Sequence, residues 1–212
     1  MGRSTFLRVA CVAAVLSTLA AGAVAQTGSQ PDPLIKAHEA ELLHDPRTQA
    51  LGAAHGDVTI VEFFDYTCPF CKAAEPRVEA LLKADKGVRL VVKEFPILSP
   101  QSPLASRAAL AAARQGRYAV YHQAMLLHRG ELDEDAIFAI ARDVGLDVGR
   151  LHRDMNDPAF AREIDANLTL AKAINVHGTP TFIVDDHIIT QPSATLDFTQ
   201  LAAASRRAHG HS

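Results

Sequence analysis

Two cysteines separated by two residues, Cys68 and Cys71, constrain this chain of 212 residues more than any other feature. The pair follows an apolar, β-rich run at residues 58–64 and precedes a stretch with helical character. It therefore falls at a strand-to-helix junction, where redox-active C-x-x-C motifs are built. Unpaired backbone N–H groups and the helix dipole favour an anion at the start of a helix. The sequence thus predicts that Cys68 is held as a thiolate, the reactive form of cysteine.

The first 25 residues have the pattern of an export signal. Arg3 and Arg8 precede an apolar run, and Ala23-Val24-Ala25 fits the small-x-small rule for signal-peptidase cleavage. A retained membrane anchor is the alternative, but the apolar run is short for a span of ~20 residues. We therefore expect a signal peptide at residues 1–25, cleavage after Ala25 and a periplasmic protein.

Cysteine content and charge narrow the class of protein further. The third cysteine, Cys11, lies inside the expected signal, so the mature chain keeps only Cys68 and Cys71. An exported chain with one closely spaced pair is not a disulfide scaffold, and the pair is therefore expected to be functional. A net charge of −3, from 21 basic and 24 acidic residues, does not indicate a nucleic-acid partner.

The remaining sequence predicts an order of β-α-β, a helical block, and then β-β-α. We expect residues 26–50 to form a polar segment followed by a helix, and residues 208–212 to form a flexible tail. The elements expected between them are strands at about 58–64 and 88–95, a helix at 68–84 kinked by Pro76, five helices within 104–176, a hairpin of 181–184 with 187–190, and a closing helix at 195–207 capped by Thr195.

This order of elements and three sequence segments together resemble the DsbA-like branch of the thioredoxin superfamily. The segments are EFFDYTCPFC at 62–71, KEFP at 93–96 and VHGTPTF at 176–182. The resemblance covers about residues 51–207. It implies an α/β thioredoxin-like fold, with a central mixed sheet flanked by helices and a helical domain inserted at about 104–176. It also implies a thiol–disulfide oxidoreductase that uses no cofactor and no metal.

The resemblance assigns roles to four residues near the expected disulfide. Cys68 would be the exposed nucleophile, and Cys71 the buried cysteine that resolves a mixed disulfide with substrate. Pro180 resembles the family's cis-proline, which faces the active-site disulfide. It would present the backbone of Thr179 to an extended substrate segment.

The residues around the cysteines bear on the direction of the reaction. Pro69 and Phe70 are expected to contact substrate. Phe70 cannot donate a hydrogen bond to a thiolate, as the histidine of the strongest oxidants in the family does, so a less extreme oxidant is expected. Thr179 departs from the valine typical of the DsbA oxidases and is similar to the threonine of the DsbC, DsbG and ScsC groups. Oxidase and isomerase or reductase activity therefore both stay open.

Glu62 and Lys93 are the expected proton-transfer residues. Glu62 lies six residues before Cys68 in an apolar strand, and a buried carboxyl has a raised pKa and can exchange protons near neutrality. Lys93 resembles the family's usual partner for this glutamate, and the two would help to deprotonate Cys71. The alternative is an ion pair at the surface with no role in the reaction.

The expected substrates are unfolded or cysteine-containing exported proteins, with a DsbB-like or DsbD-like membrane protein as redox partner. No particular oligomeric state is predicted. Two other functions use the same features. One is a copper- or zinc-binding protein built on the two thiolates, although a structural zinc normally takes four ligands and no second ligand pair is present. The other is a holdase that binds substrate without catalysis.

Overall fold

The computed structural model describes residues 32–189 and 193–210. The expected export signal, Cys11, the start of the polar segment and Thr190 lie outside these ranges. The strands are β1 (Gln49–Gly52), β2 (Val58–Phe64), β3 (Val88–Glu94), β4 (Thr181–Val184) and β5 (His187–Ile189). The helices are α1 (Pro33–Ala37), α2 (Glu39–Leu43), α3 (Pro69–Ala84), α4 (Ser102–Ala113), α5 (Tyr118–Leu127), α6 (Glu134–Asp143), α7 (Val148–Asp154), α8 (Pro158–Ala173) and α9 (Phe198–Ala208).

One five-stranded mixed sheet, in the order β1-β3-β2-β4-β5, organises the described chain. β2 and β3 run parallel, and the other neighbouring strands pair antiparallel. β2 lies at the centre because six of its seven residues are buried and suit a strand covered on both faces. The thioredoxin-like fold predicted from the sequence is confirmed. β1 was not among the strands expected from the sequence; it pairs antiparallel with β3 along one edge of the sheet.

The two faces of the sheet bury different hydrophobic cores, because side chains alternate along each strand. Ile60 and Phe64 of β2 lie in the larger core, together with both cysteines and buried residues of α3 to α9. Val61 and Phe63 point the other way, into a smaller core formed with α1, α2 and the end of α8. The cysteine pair therefore belongs to the face that the helical block covers.

The helical block runs from α4 to α8 between β3 and β4. Buried alanines of α4, including Ala105, Ala108 and Ala112, let neighbouring helices approach closely. Aspartates begin three of these helices, since the carboxylates of Asp133, Asp147 and Asp157 accept N–H bonds in the first turns of α6, α7 and α8. Within the described ranges no helix is long and apolar enough to cross a membrane.

Two helix starts differ from the sequence prediction. α4 begins at Ser102, and Pro103 belongs to its first turn, where a missing N–H costs no helical hydrogen bond. α9 begins at Phe198 and is capped by Asp197, whose carboxylate accepts from the N–H of Gln200 at 3.0 Å. Thr195 was therefore the wrong cap, because it lies too far before the first helical turn.

Arg206 of α9 holds two carboxylates from distant parts of the chain. It donates to Asp57 through Nε and Nη2 at 2.7 and 2.8 Å, and to Asp85 through Nη1 and Nη2 at 2.6 and 2.9 Å. Asp57 directly precedes β2, and Asp85 is the C-cap of α3. Hydrogen bonds from Arg206 lower the pKa of Asp85. The last helix is thus fixed to the strand and the helix that carry the cysteines.

We expect Arg206→Met to lower the free energy of unfolding by about 1–2 kcal/mol, because four charge-assisted hydrogen bonds are lost at a partly exposed site. Arg207→Met is the matched control, since Arg207 is the next residue of α9 and is exposed. Urea unfolding of both variants measures the difference. Equal stabilities would show that these ion pairs do not fix α9.

Candidate active site

Cys68 forms the turn between β2 and α3. It is the N-cap of α3, with an extended backbone (φ −71°, ψ 119°), and Pro69 fills the first helical position. The N–H of Cys68 donates to the carbonyl oxygen of Asp65 at 3.0 Å, which closes the turn. The sulfur therefore lies where the first N–H groups of α3 have no helical acceptor.

The surroundings of Cys68 favour its thiolate. Its pKa is lowered to about 6, first by a hydrogen bond from the Cys71 thiol, then by one from Thr179 and by the N–H groups of Cys71 and Phe70. Burial opposes these donors. As a thiol, Cys68 donates to the carbonyl oxygen of Thr179 at 3.2 Å. When Cys68 is ionised, the Thr179 hydroxyl, which has no other partner among the described residues, can donate to the sulfur instead.

Cys68 is not exposed, which corrects the expectation from the sequence. Only 1% of the residue is accessible, although Pro69 and Phe70 beside it are exposed and Phe70 is 62% accessible. The cause is the segment before β4, which brings Thr179 against the sulfur. A substrate that reacts with Cys68 must therefore displace or reorient this contact.

The segment before β4 contains the expected cis peptide bond, between Thr179 and Pro180. Gly178 accepts a hydrogen bond from the hydroxyl of Thr181 at 2.8 Å, which closes the turn into β4. β4 pairs antiparallel with β2, so the start of β4 lies beside the end of β2 and therefore beside Cys68.

Cys71 is buried in the first turn of α3, with 1% of the residue accessible. Burial raises the pKa of its thiol far above the usual range, and the hydrogen bond to Cys68 and the negative charge of Glu62 raise it further. Cys68 and Cys71 therefore differ strongly in acidity. At neutral pH the outer sulfur is ionised and the inner one is protonated.

Glu62 is buried on the face of the sheet that carries the cysteines, with 2% of the residue accessible. Its pKa is raised well above the usual value by burial, and then by the negative charges of Glu75 and Cys68. Oε2 of Glu62 has no hydrogen-bond partner among the described residues. Burial therefore favours the protonated form of this carboxyl, which can exchange a proton near Cys71.

Lys93 does not pair with Glu62, and that expectation was wrong. The strand register sets Glu62 opposite Val92 and Phe63 opposite Lys93, so the two side chains point to opposite faces of the sheet. Lys93 donates instead to the carbonyl oxygen of Glu41 at 2.6 Å and to the hydroxyl of Thr48 at 2.8 Å. It is fully buried, so the alternative of a surface ion pair is also excluded.

Two further charged residues of α3 lie near the cysteines and were missed in the sequence. Glu75 is 5% accessible, and burial raises its pKa to about 7, against a hydrogen bond from Gln123 of α5. Lys72 donates to the carbonyl oxygens of Met125 at 3.2 Å and His128 at 2.8 Å, at the end of α5. Glu75 could have been found from its spacing, since it lies four residues after Cys71 on the same helical face.

Asp65 organises the loop beside the cysteine turn. Its Oδ1 accepts from the N–H and hydroxyl of Thr67 at 2.8 and 2.9 Å and from the hydroxyl of Ser102 at 2.8 Å. Its Oδ2 accepts from the N–H groups of Ile97 and Leu98 at 2.9 and 3.0 Å. This buried carboxylate thus holds two partly exposed apolar residues close to the turn that ends at Cys68.

The described residues contain no group of three or more histidine, cysteine or carboxylate side chains arranged to hold a metal ion. The polar side chains around the cysteines include the carboxyls of Glu62 and Glu75, the amine of Lys72 and the hydroxyl of Thr179. The arrangement suits exchange of sulfur–sulfur bonds, because it provides one ionised thiol, one protonated thiol and a buried carboxyl that can exchange a proton.

The family model for the DSBA-like thioredoxin domain matches residues 59–203. The chain belongs to this family. Its members include thiol–disulfide oxidoreductases, and the match spans β2, the helical block and most of α9. A solved thioredoxin-like oxidoreductase from Silicibacter pomeroyi DSS-3 is 42% identical, has a TM-score of 0.75, and covers 82% of this chain and 98% of its own.

The chain is also similar to two curated proteins of different length. The thiol:disulfide interchange protein DsbA of Bordetella parapertussis is 27% identical over 183 residues, which is 72% of this chain and 81% of that protein. The Na(+)/H(+) antiporter NhaA 3 of Salinispora tropica is 35% identical over 144 residues, or 66% of this chain. This chain spans only 22% of the length of that antiporter.

We expect Glu62→Gln to change how stability depends on pH. The folded protein keeps the Glu62 proton to a higher pH than the unfolded chain does, so stability falls as pH rises above the unfolded pKa. The Gln variant lacks this loss of stability. Its advantage over wild type should therefore grow with pH above the unfolded pKa of ~4.3, by up to about 1.4 kcal/mol per pH unit, until Glu62 ionises in the folded protein. Urea unfolding of the reduced proteins measures it.

The control for this measurement is Glu131→Gln, because Glu131 is exposed in the loop before α6. Its stability should follow the wild-type curve at every pH. A Glu62→Gln curve parallel to wild type would contradict a raised pKa at Glu62.

Proposed function

We propose that this protein is an exported thiol–disulfide oxidoreductase that acts on protein substrates through Cys68 and Cys71. The opposed acidities of the two cysteines carry this proposal: the pKa of Cys68 is lowered to about 6, and that of Cys71 is raised far above the usual range. Only such a pair gives an attacking thiolate at neutral pH together with a second thiol that waits until a mixed disulfide has formed.

In the reducing direction, the Cys68 thiolate attacks one sulfur of a substrate disulfide. The substrate S–S bond breaks, one substrate thiolate leaves, and a mixed disulfide forms on Cys68. Cys71 then loses its proton to the ionised form of Glu62 and attacks the Cys68 sulfur. The second substrate thiolate leaves, the Cys68–Cys71 disulfide forms, and two electrons have passed to the substrate. Oxidation of a substrate dithiol is the same sequence reversed.

The strength of the oxidant follows from how well the Cys68 thiolate is stabilised. A stabilised thiolate favours the reduced pair and makes its disulfide more oxidising, as in DsbA, where the pKa of the nucleophile is about 3.5. The pKa of Cys68 is lowered only to about 6. Phe70 supplies a backbone N–H but no side-chain donor. We therefore infer a weaker oxidant than DsbA, suited to reshuffling or reducing disulfides.

Apolar side chains around the cysteine turn fit unfolded substrates. Phe70 is 62% accessible, Leu98 51% and Ile97 38%, and Asp65 ties the last two to the turn before Cys68. Unfolded chains expose apolar residues that such a surface can bury. With the export signal expected at residues 1–25, the substrates are cysteine-containing periplasmic proteins. A DsbB-like or DsbD-like membrane protein then restores the redox state of the pair.

We expect the alkylation rate of Cys68 by iodoacetamide to rise with pH through about 6 and to level off above 7, since only the thiolate reacts. Thr179→Val keeps the shape of the side chain but removes the hydroxyl that can donate to the sulfur. It should raise the pKa and slow alkylation at pH 6 by roughly threefold or more.

Thr169→Val, on the exposed side of α8, is the matched control and should react at the wild-type rate. If wild-type Cys68 reacts at neutral pH no faster than an ordinary free thiol, the proposed function is wrong.

Cys71→Ala should trap a mixed disulfide with denatured substrate proteins that contain disulfides, because the Cys68 thiolate still opens the substrate S–S bond but the resolving attack is lost. Cys68→Ala should trap none and should not reduce insulin. Non-reducing gel electrophoresis and the turbidity of reduced insulin measure the two outcomes. Insulin reduction that survives in Cys68→Ala would refute the assigned nucleophile, and refolding assistance without any trapped disulfide would favour the holdase.

A further inference from the structure

A buried polar cluster lies behind the cysteine turn and has no part in the chemistry described so far. The Glu94 cluster consists of Glu94, Tyr66, Tyr118 and His122. Oε1 of Glu94 accepts from the hydroxyls of Tyr118 at 2.8 Å and Tyr66 at 3.2 Å, and the Tyr66 hydroxyl lies 2.9 Å from Nδ1 of His122. No residue of the cluster is more than 5% accessible.

The Glu94 cluster joins three parts of the fold. Glu94 ends β3, on the same face of the sheet as Glu62 and opposite Phe64 in register. Tyr118 and His122 belong to α5 of the helical block. Tyr66 lies two residues before Cys68. The cluster therefore connects the helical block to the turn that carries the nucleophile.

The protons on His122 and Tyr66 determine which group donates in each hydrogen bond of the Glu94 cluster. Burial lowers the pKa of His122 to about 3, so the imidazole is neutral and carries one proton. The hydroxyl of Tyr66 also has a single proton, and it donates that proton to Glu94. Nδ1 of His122 must then carry the imidazole proton and donate to the Tyr66 oxygen. Tyr66 is thus held from both sides, by α5 and by the end of β3.

Stability alone does not account for a carboxyl at this position. Burying a polar group costs free energy unless all of its partners are in place, and an apolar side chain could fill the same space. Phe64 and Val92 show that this face of the sheet otherwise accepts apolar residues. The feature that an apolar residue could not supply is a fixed acceptor for the Tyr66 hydroxyl.

We propose that Glu94 is a positioning residue for thiol–disulfide exchange, which acts by fixing Tyr66 and thereby the turn that places Cys68 against Thr179. The inference rests on the proposed function and extends it. The connection is short: Tyr66 follows Asp65, whose carbonyl oxygen accepts from the N–H of Cys68 at 3.0 Å. The Cys68 sulfur in turn lies 3.2 Å from the Thr179 carbonyl oxygen.

Loosening of this turn should weaken the contact between Cys68 and Thr179. The hydrogen bond from Thr179 is one of those that lower the pKa of Cys68, so its loss raises that pKa. The effect reaches Cys68 through Tyr66 and not through Tyr118, although both hydroxyls donate to the same oxygen of Glu94. Tyr118→Phe is therefore the control for loss of a hydroxyl from Glu94, while Tyr66→Phe also removes the partner of His122 Nδ1.

The test compares Tyr66→Phe with Tyr118→Phe in the full mature protein. Each variant removes one buried hydroxyl from Glu94, and urea unfolding shows whether their stabilities match. The readout is the rate of Cys68 alkylation by iodoacetamide from pH 5 to 8 in the reduced protein, where the raised pKa of Cys71 keeps that thiol protonated and Cys68 alone reacts. We expect Tyr66→Phe to react at pH 6 roughly threefold more slowly or worse, and Tyr118→Phe to match its parent.

Equal rates for the two tyrosine variants, whether both slow or both unchanged, would overturn the positioning role. A parent protein that reacts like an ordinary thiol would instead overturn the proposed function, so the two failures can be told apart.

Substitution of Glu94 itself provides a second, independent test of the positioning role. Burial raises the pKa of the Glu94 carboxyl to about 8. Interactions with Ser106, Tyr118 and Tyr66 lower this pKa, and the negative charge of Glu163 raises it. The carboxyl is therefore largely neutral at pH 6, and Glu94→Gln keeps an oxygen that can accept from both tyrosines. We expect Glu94→Gln to keep the Cys68 pH profile and Glu94→Leu to shift it upward. A Gln variant that behaves like Leu would overturn the role of the acceptor.

Discussion

The negative charge on the Cys68 sulfur depends on hydrogen-bond donors that the fold gathers from two separate segments. The Cys71 thiol and the N–H groups of Phe70 and Cys71 come from the first turn of α3, and Thr179 comes from the loop before β4. The first set is local, because an N-cap residue always faces the unpaired N–H groups of its own helix. The second exists only because β4 pairs antiparallel with β2. The sheet order is therefore part of the chemistry of the thiol.

The buried carboxyls of Asp65, Glu62 and Glu94 differ in the number of hydrogen-bond donors around them, and burial raises the pKa of both glutamates. The carboxyl oxygens of Asp65 accept five hydrogen bonds from Thr67, Ile97, Leu98 and Ser102. Burial raises the pKa of Glu62, which disfavours a negative charge on this carboxyl beside the Cys68 thiolate. Glu94 is likewise neutralised by burial while it accepts two tyrosine hydroxyls. A like charge at either glutamate would work against the thiolate.

The local parts of the site could be predicted from the sequence, and the parts that depend on register could not. An apolar run before C-x-x-C is enough to place Cys68 at a helix start, and Gly-Thr-Pro in its family context is enough to predict a cis bond. Pairing Lys93 with Glu62 failed because a difference of one residue in register moves a side chain to the other face. The charged residue of β3 that shares the face of Glu62 is Glu94, which follows Val92 by two positions. The burial of Cys68 was missed for a similar reason, since a distant loop covers it.

The helical block contributes contacts to the candidate active site and does not only pack over it. Helix α5 contacts the cysteine turn and α3 at three places. His122 of α5 bonds to Tyr66, which precedes the cysteines. The carbonyl oxygens at the C-terminal end of α5 accept from Lys72, which directly follows Cys71. Gln123 of α5 bonds to Glu75, one turn further along α3. A helix attached by side chains before, after and behind the reactive pair cannot shift without moving it. Differences in this block between members of the family should therefore tune the nucleophile as well as the choice of substrate.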